Sequence, residues 1–170
     1  MKRRNILVIA TIVVAVIVAG AAGWKYHEQP QFCADLCHLM EPYEASWESS
    51  DFEVRAHAEA GLVCLDCHEP TIKEQVEEVI HYATNDFSDP LRERKMPMET
   101  CLSCKEHGTY QEMVEVTQPL EEEWERNPHN SHWGEMECHL CHNMHRPSVN
   151  YCASCHPVPM PDGWVKPDES

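Results

Sequence analysis

Residues 138–156 read Cys138-His-Leu-Cys141-His142-Asn-Met-His145-Arg-Pro-Ser148-Val-Asn-Tyr151-Cys152-Ala-Ser-Cys155-His156. Two C-x-x-C-H motifs stand almost end to end in this stretch. The chemistry that needs this pattern is covalent haem attachment: two thiols add to the two vinyl groups, and the adjacent His faces the iron as an axial ligand. Cys64-Leu-Asp-Cys67-His68 is a third complete copy. Cys101-Leu-Ser-Cys104-Lys105 keeps the spacing but ends in Lys. Cys33-Ala-Asp-Leu-Cys37-His38 carries one extra residue between its thiols. The ten Cys thus form five pairs with none left over. Five disulfides would also use ten Cys, but would not explain His behind four of the pairs. Zinc sites would use Cys and His without requiring His directly after each second Cys. The pattern predicts five covalently bound haem c groups.

Composition agrees. Cys and His contribute 10 and 12 of the 170 residues, whereas Phe, Trp and Tyr number only 3, 5 and 5. A conventional apolar core would be thin for this length, and the macrocycles are expected to take its place. The net charge of −16 excludes a nucleic-acid binder, which would show a basic patch.

At the N-terminus, Lys2, Arg3 and Arg4 precede eighteen uncharged residues, Ile6 to Gly23. That run is long enough to cross a bilayer as a helix, and the basic cluster predicts a cytoplasmic N-terminus with the rest exported. Trp24 and Tyr26 stand where interfacial aromatics belong. The other reading is a signal peptide cleaved near Ala19-Gly20-Ala21. Without the first four residues, Lys+Arg falls from 13 to 10 against 29 Asp+Glu, so the exported part carries about −19. The expected fold is mainly α and irregular: an anchor over 1–24, a dihaem segment over 25–100 and a trihaem segment over 101–170, organised by haem packing.

Five irons need up to ten axial ligands. The motifs supply His68, His142 and His156 directly. His129, His132 and His145 cluster around the last two motifs and are expected to ligate. Neither His27 nor His139 is given a role.

Two resemblances add to this. From the anchor to about residue 100 the chain resembles the membrane-anchored multihaem quinol dehydrogenases that feed nitrite and nitrate reductases. The matching residues are Cys37-His38-Leu-Met40-Glu-Pro42, Trp47, Ser49-Ser50 and Gly61-Leu-Val-Cys64-Leu-Asp-Cys67-His68-Glu-Pro70. The resemblance implies Met40 as the ligand of haem one and an open side where quinol docks. Asp51 stands where that family has a His, and His57 is the nearest substitute for it as a haem ligand. From Cys101 to Trp164 the chain is similar to the tetrahaem domain of flavocytochrome fumarate reductases, through Asn127-Pro-His129-Asn-Ser-His132, the stretch quoted above, Met160-Pro and Gly163-Trp164. That likeness implies His129 on haem three, His132 with His142 on haem four, and His145 with His156 on haem five. Lys105 resembles the Lys of the active-site haem in pentahaem nitrite reductases. Three readings stay open for this haem: a catalytic iron, a closed Lys105/His129 carrier, or His107 on the iron with Lys105 in solvent.

Between the halves, Thr71-Ile-Lys-Glu74 predicts a capping box and a helix running to about Phe87. Ile72, Val76, Val79, Ile80 and Ala83 share one face, and 100° per residue puts Asp86 on that same face. There its carboxylate would be desolvated. The quinol dehydrogenases use an acidic residue at nearly this distance and a nearby Lys matched here by His81, so Asp86 and His81 join Met40 as candidates for quinol oxidation. His81 projects about 140° away, so a regular helix keeps the two apart. A second capping box, Thr109 to Glu112, predicts a helix ending at Pro119. The tail after Trp164 is expected to be disordered.

These readings predict a protein that oxidises menaquinol from the membrane pool and relays electrons to a separate extracytoplasmic reductase, a fumarate-type flavoprotein or a nitrite reductase. The alternatives are an electron-transfer subunit without quinol chemistry, or a small-oxyanion reductase at the Lys105 haem.

Overall fold

The computed structural model describes residues 3–104 and 107–169. Helices and turns make up the described residues; no strand occurs among them, and Val149 and Val165 form an isolated bridge. The fold is therefore the expected one, helical and irregular behind one long apolar helix.

That helix, α1, spans Arg3–His27, and it is long and apolar enough to cross a membrane by length and composition. Twenty-five residues at about 1.5 Å each exceed the roughly 30 Å hydrocarbon thickness. The other helices are short: α2 (Pro30–Leu36), α3 (Glu41–Glu48), α4 (Glu53–Glu59), α5 (Cys64–Cys67), α6 (Ile72–Ala83), α7 (Met98–Leu102), α8 (Tyr110–Val116) and α9 (Glu121–Trp124).

The backbone divides into two compact units, Met1–Glu44 with Gly61–Pro90, and Ala45–Ala60 with Leu91–Ser170. In the second, α4 is tied to the motif region by Val54 N–H donating to Met144 O at 3.1 Å.

Among the described residues the buried apolar side chains are Pro30, Ala34, Val54 and Val149, while Ser46, Asn127, Asn143, Ser148 and Asn150 are buried and polar. Side-chain hydrogen bonds to backbone tie down the loops instead of an apolar core. Asn127 Nδ2 donates to Val114 O at 2.6 Å, Asn143 Nδ2 to Pro147 O at 2.9 Å and Asn150 Nδ2 to Pro159 O at 2.9 Å. A chain of this size with so few buried apolar side chains among its described residues lacks the transfer energy to hold itself together.

Both predicted capping boxes form. Thr71 N–H donates to Glu74 at 2.7 Å and Glu74 N–H returns to Thr71 Oγ1 at 3.3 Å; Thr109 and Glu112 repeat the exchange. Helix α6 stops earlier than its periodicity suggested. Asn85 adopts φ 58°, Asn85 N–H donates to Tyr82 O, and Asp86 N–H donates to His81 O at 2.9 Å. This is a Schellman ending with Asn in the left-handed position. A hydrophobic pattern cannot register it, because the stop lies in the backbone of one residue. The tail also differs from expectation. Val165 N–H donates to Ser148 O at 2.9 Å and Val165 O accepts from Asn150 N–H at 3.0 Å, so its first residue is held by the segment between motifs four and five.

Candidate haem centres

The three complete motifs share one local geometry. The carbonyl of the first Cys accepts from the N–H of the motif His: Cys64 from His68 at 2.8 Å, Cys138 from His142 at 2.9 Å and Cys152 from His156 at 2.9 Å. One turn closed this way puts both thiols and the imidazole on one side of the backbone, as a single planar ligand requires. In the first motif the extra residue makes an α-helical i,i+4 pair, with Cys37 N–H on Cys33 O at 2.9 Å. All ten Cys are free thiols.

Motifs also lie beside one another within each unit. In the second, the thiols of Cys101 and Cys138 lie close enough to perturb each other, which lowers Cys138 and raises Cys101. Burial raises Cys141, and neighbouring Cys152 adds to it. In the first, burial raises Cys64, and neighbouring Cys33 adds to it. Motifs three, four and five are thus near neighbours, as are motifs one and two.

The histidine rings meet in pairs. His129 and His142 have centroids 6.1 Å apart with planes 6° from parallel. His57 and His107 are 6.1 Å apart at 10°, and His132 and His156 are 5.9 Å apart at 56°. Two imidazoles bound on opposite sides of one metal each place their centroid one bond of about 2 Å plus a ring radius of about 1.2 Å from it, giving roughly 6 Å between centroids. Among the described residues no group of three or more His, Cys, Asp or Glu converges on one metal position, so pairwise ligation is what this arrangement suits. Residues and group fit: paired thiols beside an imidazole, a second imidazole opposite, and too few apolar side chains to fill the interior without the macrocycles.

His129, His142 and His57 are each aimed by a bond at Nδ1, which leaves Nε2 for a metal. His129 Nδ1 meets Thr117 Oγ1 at 3.0 Å, and Asn127 Oδ1 accepts from both His129 N–H at 2.9 Å and Thr117 Oγ1 at 3.1 Å. His142 Nδ1 meets Glu53 Oε1 at 3.3 Å, and His57 Nδ1 meets the Glu53 carbonyl at 2.9 Å. One residue therefore supports a ring in each of two pairs. Burial, with His142 nearby, holds His129 below its ordinary pKa and so neutral, the state that binds metal. The bond to His142 holds Glu53 low against the opposing effect of its own burial. His145 Nδ1 meets Ser46 Oγ at 2.8 Å.

These pairs differ from those the fumarate-reductase likeness implied. His142 faces His129 rather than His132, and His156 faces His132 rather than His145. His57, offered to haem two, faces His107. No local pattern marks Glu53, Thr117 or Ser46 as supporting residues, because their partners lie 89, 12 and 99 positions away. Lys105 lies outside the described residues.

In the first unit Met40 is half-buried at the end of a 3₁₀ turn, His38–Met40. His38 is exposed and pairs with Glu41 at 2.7 Å. The early end of α6 overturns the expected separation of His81 and Asp86: the reversed chain brings Asp86 Oδ2 to His81 Nδ1 at 2.9 Å. Asp86 is not on the apolar face and not desolvated, since its side chain is 76% exposed. His27, packed on Phe32 at 4.9 Å, keeps a buried Nδ1 without a hydrogen-bond partner.

The sequence pattern of the cytochrome c3 family matches residues 56–157. Cytochrome c-type protein Cgr1 of Eggerthella lenta is 34% identical, over 94% of this chain and 86% of that protein. A protein described as "Probable fumarate reductase Ifc3", from Shewanella frigidimarina, is 31% identical over 65% of this chain but 15% of its own length. Cytochrome c-type protein ImcH of Geobacter sulfurreducens is 33% identical over 39% of this chain and 13% of that protein. No solved structure matches.

Proposed function

The chain belongs to the cytochrome c3 family of multihaem electron-transfer proteins, and we propose that it is a pentahaem, membrane-anchored member that oxidises menaquinol and passes the electrons to an extracytoplasmic reductase. The observation that carries the relay is the set of three imidazole pairs at 5.9–6.1 Å in the second unit. Bound haem c supplies one-electron iron chemistry, and an iron with both axial positions filled carries electrons without binding substrate.

The chain's own residues divide the work. Helix α1 holds the protein in the membrane with its N-terminus cytoplasmic. Cys138 and Cys141 fix the haem between His142 and His129; Cys152 and Cys155 fix the one between His156 and His132. Cys64 and Cys67 fix a haem with His68 as its proximal ligand. Cys33 and Cys37 fix haem one, with Met40 as its ligand. His145, oriented by Ser46, serves a further iron.

Oxidation of a quinol releases two protons with its two electrons. His81 accepts one through Nε2, while Asp86 holds Nδ1 and stabilises the imidazolium, the other passes to water, to which the pair is exposed, and the two electrons pass one at a time to haem one. The strongly acidic exported surface calls for a basic patch on the reductase. The fumarate reductase named among the relatives supports a flavoprotein of that type as acceptor.

One observation favours an electron-transfer subunit without quinol chemistry. His81 and Asp86 are exposed at 56% and 76%, not enclosed with a substrate. Anaerobic reduction of the detergent-solubilised protein by a menaquinol analogue, followed at the haem α-band, separates the two. Rapid reduction blocked by a quinol-site inhibitor supports the quinol dehydrogenase. No reduction, with dithionite still reducing every haem, refutes it and leaves a relay fed by another protein. In the first case Asp86→Asn slows quinol-dependent reduction and leaves the dithionite reaction unchanged.

A further inference from the structure

The variant third motif poses the question the sequence left open, because Lys105 stands where the iron-facing His belongs. The backbone supplies a substitute. His107 N–H donates to Cys104 O at 3.1 Å and Gly108 N–H to the same oxygen at 3.2 Å. That turn needs its glycine. Gly108 has φ +64°, and a Cβ there would collide with the Glu112 carboxylate. These bonds hold the backbone of His107 against Cys104 of its own motif.

Across from His107 is His57 of α4, with ring centroids 6.1 Å apart and planes 10° from parallel. This is nearly the spacing and tilt of His129 and His142, where one ring belongs to a complete motif. Offset stacking also occurs at this separation, so the place of His107 just after motif three is what favours ligation. His107 also keeps a buried Nδ1 with no hydrogen-bond partner, an expensive state that a bond from this nitrogen to the iron would relieve. His57 has its Nδ1 on the Glu53 carbonyl and its other nitrogen free.

We propose that His57 and His107 are the two axial ligands of the haem attached at Cys101 and Cys104, and that Lys105 is not a ligand. The assignment rests on the pentahaem reading. It makes this iron a closed carrier rather than a substrate site, and it joins α4 to the motif-three turn through the metal. It also gives residues 45–60 a reason to group with 91–170, because His57 and Glu53 both serve irons of that unit.

The test uses the haem-loaded protein. Haem is counted by pyridine haemochrome and intact mass, and near-infrared magnetic circular dichroism of the oxidised wild type separates imidazole–imidazole from amine–imidazole ligation. The expected result is five haems with no amine–imidazole band, and Lys105→Gln leaves the spectrum unchanged. His57→Gly and His107→Gly each turn the same single low-spin haem high-spin, and added imidazole restores it. An amine–imidazole band that disappears in Lys105→Gln overturns the assignment, even if the glycine variants fail to accumulate. So does retention of all low-spin signals in His107→Gly. Four haems, with Cys101 and Cys104 unmodified, instead refutes the pentahaem reading and the assignment with it.

Discussion

Replacing Glu53 by Gln should raise the reduction potential of the haem held between His142 and His129, and should raise it more than that of the haem between His57 and His107. The Glu53 carboxylate meets His142 Nδ1 at 3.3 Å. Crossing the ring and one metal bond puts the carboxylate about 7 Å from the iron, and at an effective dielectric near 20 a unit charge there contributes about 2 kcal/mol. For a one-electron couple that is roughly 100 mV. The Glu53 side chain is 29% exposed, so screening by water brings the expected rise nearer to roughly 50 mV. The sign follows from charge: an anion stabilises the more positive oxidised iron, and its loss favours reduction. Weaker polarisation of the His142 N–H acts in the same direction. His57 bonds to the Glu53 backbone carbonyl, which the substitution leaves in place, so that haem is an internal control. Equilibrium redox titration followed by low-temperature EPR reads each low-spin signal separately. A potential on the His142 side that stays fixed, or a uniform rise on all haems, would refute the supporting role of the carboxylate.

Three further outcomes follow from the same geometry. The oxidised protein should give two rhombic low-spin EPR signals from the near-parallel pairs at 6° and 10°, and one of larger anisotropy from His132 and His156 at 56°; three equivalent signals would contradict the ring angles. Gly108→Ala puts a side chain at φ +64° and displaces Glu112 from its capping box, which together should cost about 2 kcal/mol in guanidinium unfolding of the haem-loaded protein; an unchanged midpoint would mean that the turn after Cys104 is not strained. Association with the reductase should weaken as ionic strength rises, through the association rate more than the dissociation rate, and a salt-independent rate would remove charge from docking.

Much of this was legible in the sequence because covalent haem attachment is local. Five residues carry a whole C-x-x-C-H site, and one turn of backbone is enough to shape it, as Cys64–His68, Cys138–His142 and Cys152–His156 show. The two capping boxes were legible for the same reason, each being a four-residue exchange. What the sequence could not give was partnership at a distance. His142 stands 13 residues from His129 and 10 from His132, and only the folded chain decides which ring faces it. Glu53 and Ser46 bond to histidines nearly a hundred positions away. The end of α6 was illegible for a different reason: Ile72, Val76, Val79 and Ile80 keep their helical spacing right up to a stop made by the dihedrals of Asn85. That one turn changed Asp86 from a supposed lone buried acid into the exposed partner of His81.

The scarcity of apolar burial and the supply of histidines are one property seen twice. With Pro30, Ala34, Val54 and Val149 as the buried apolar side chains among the described residues, the transfer energy that normally offsets chain entropy is missing. Covalent haem supplies it, each macrocycle burying more apolar area than any side chain. It also supplies the long-range order that a sheet or bundle would otherwise impose, because an axial pair such as His57 and His107 fastens segments 50 residues apart through one metal. The polar residues buried around the rings fit this economy. Asn127 and Thr117 fix a histidine, and Glu53 fixes two; none could be replaced by a larger apolar side chain without freeing a ligand. Selection for a particular electron path and selection for a stable fold then act on the same residues. In this unit a ligand substitution should therefore show itself as lost stability as well as a changed potential.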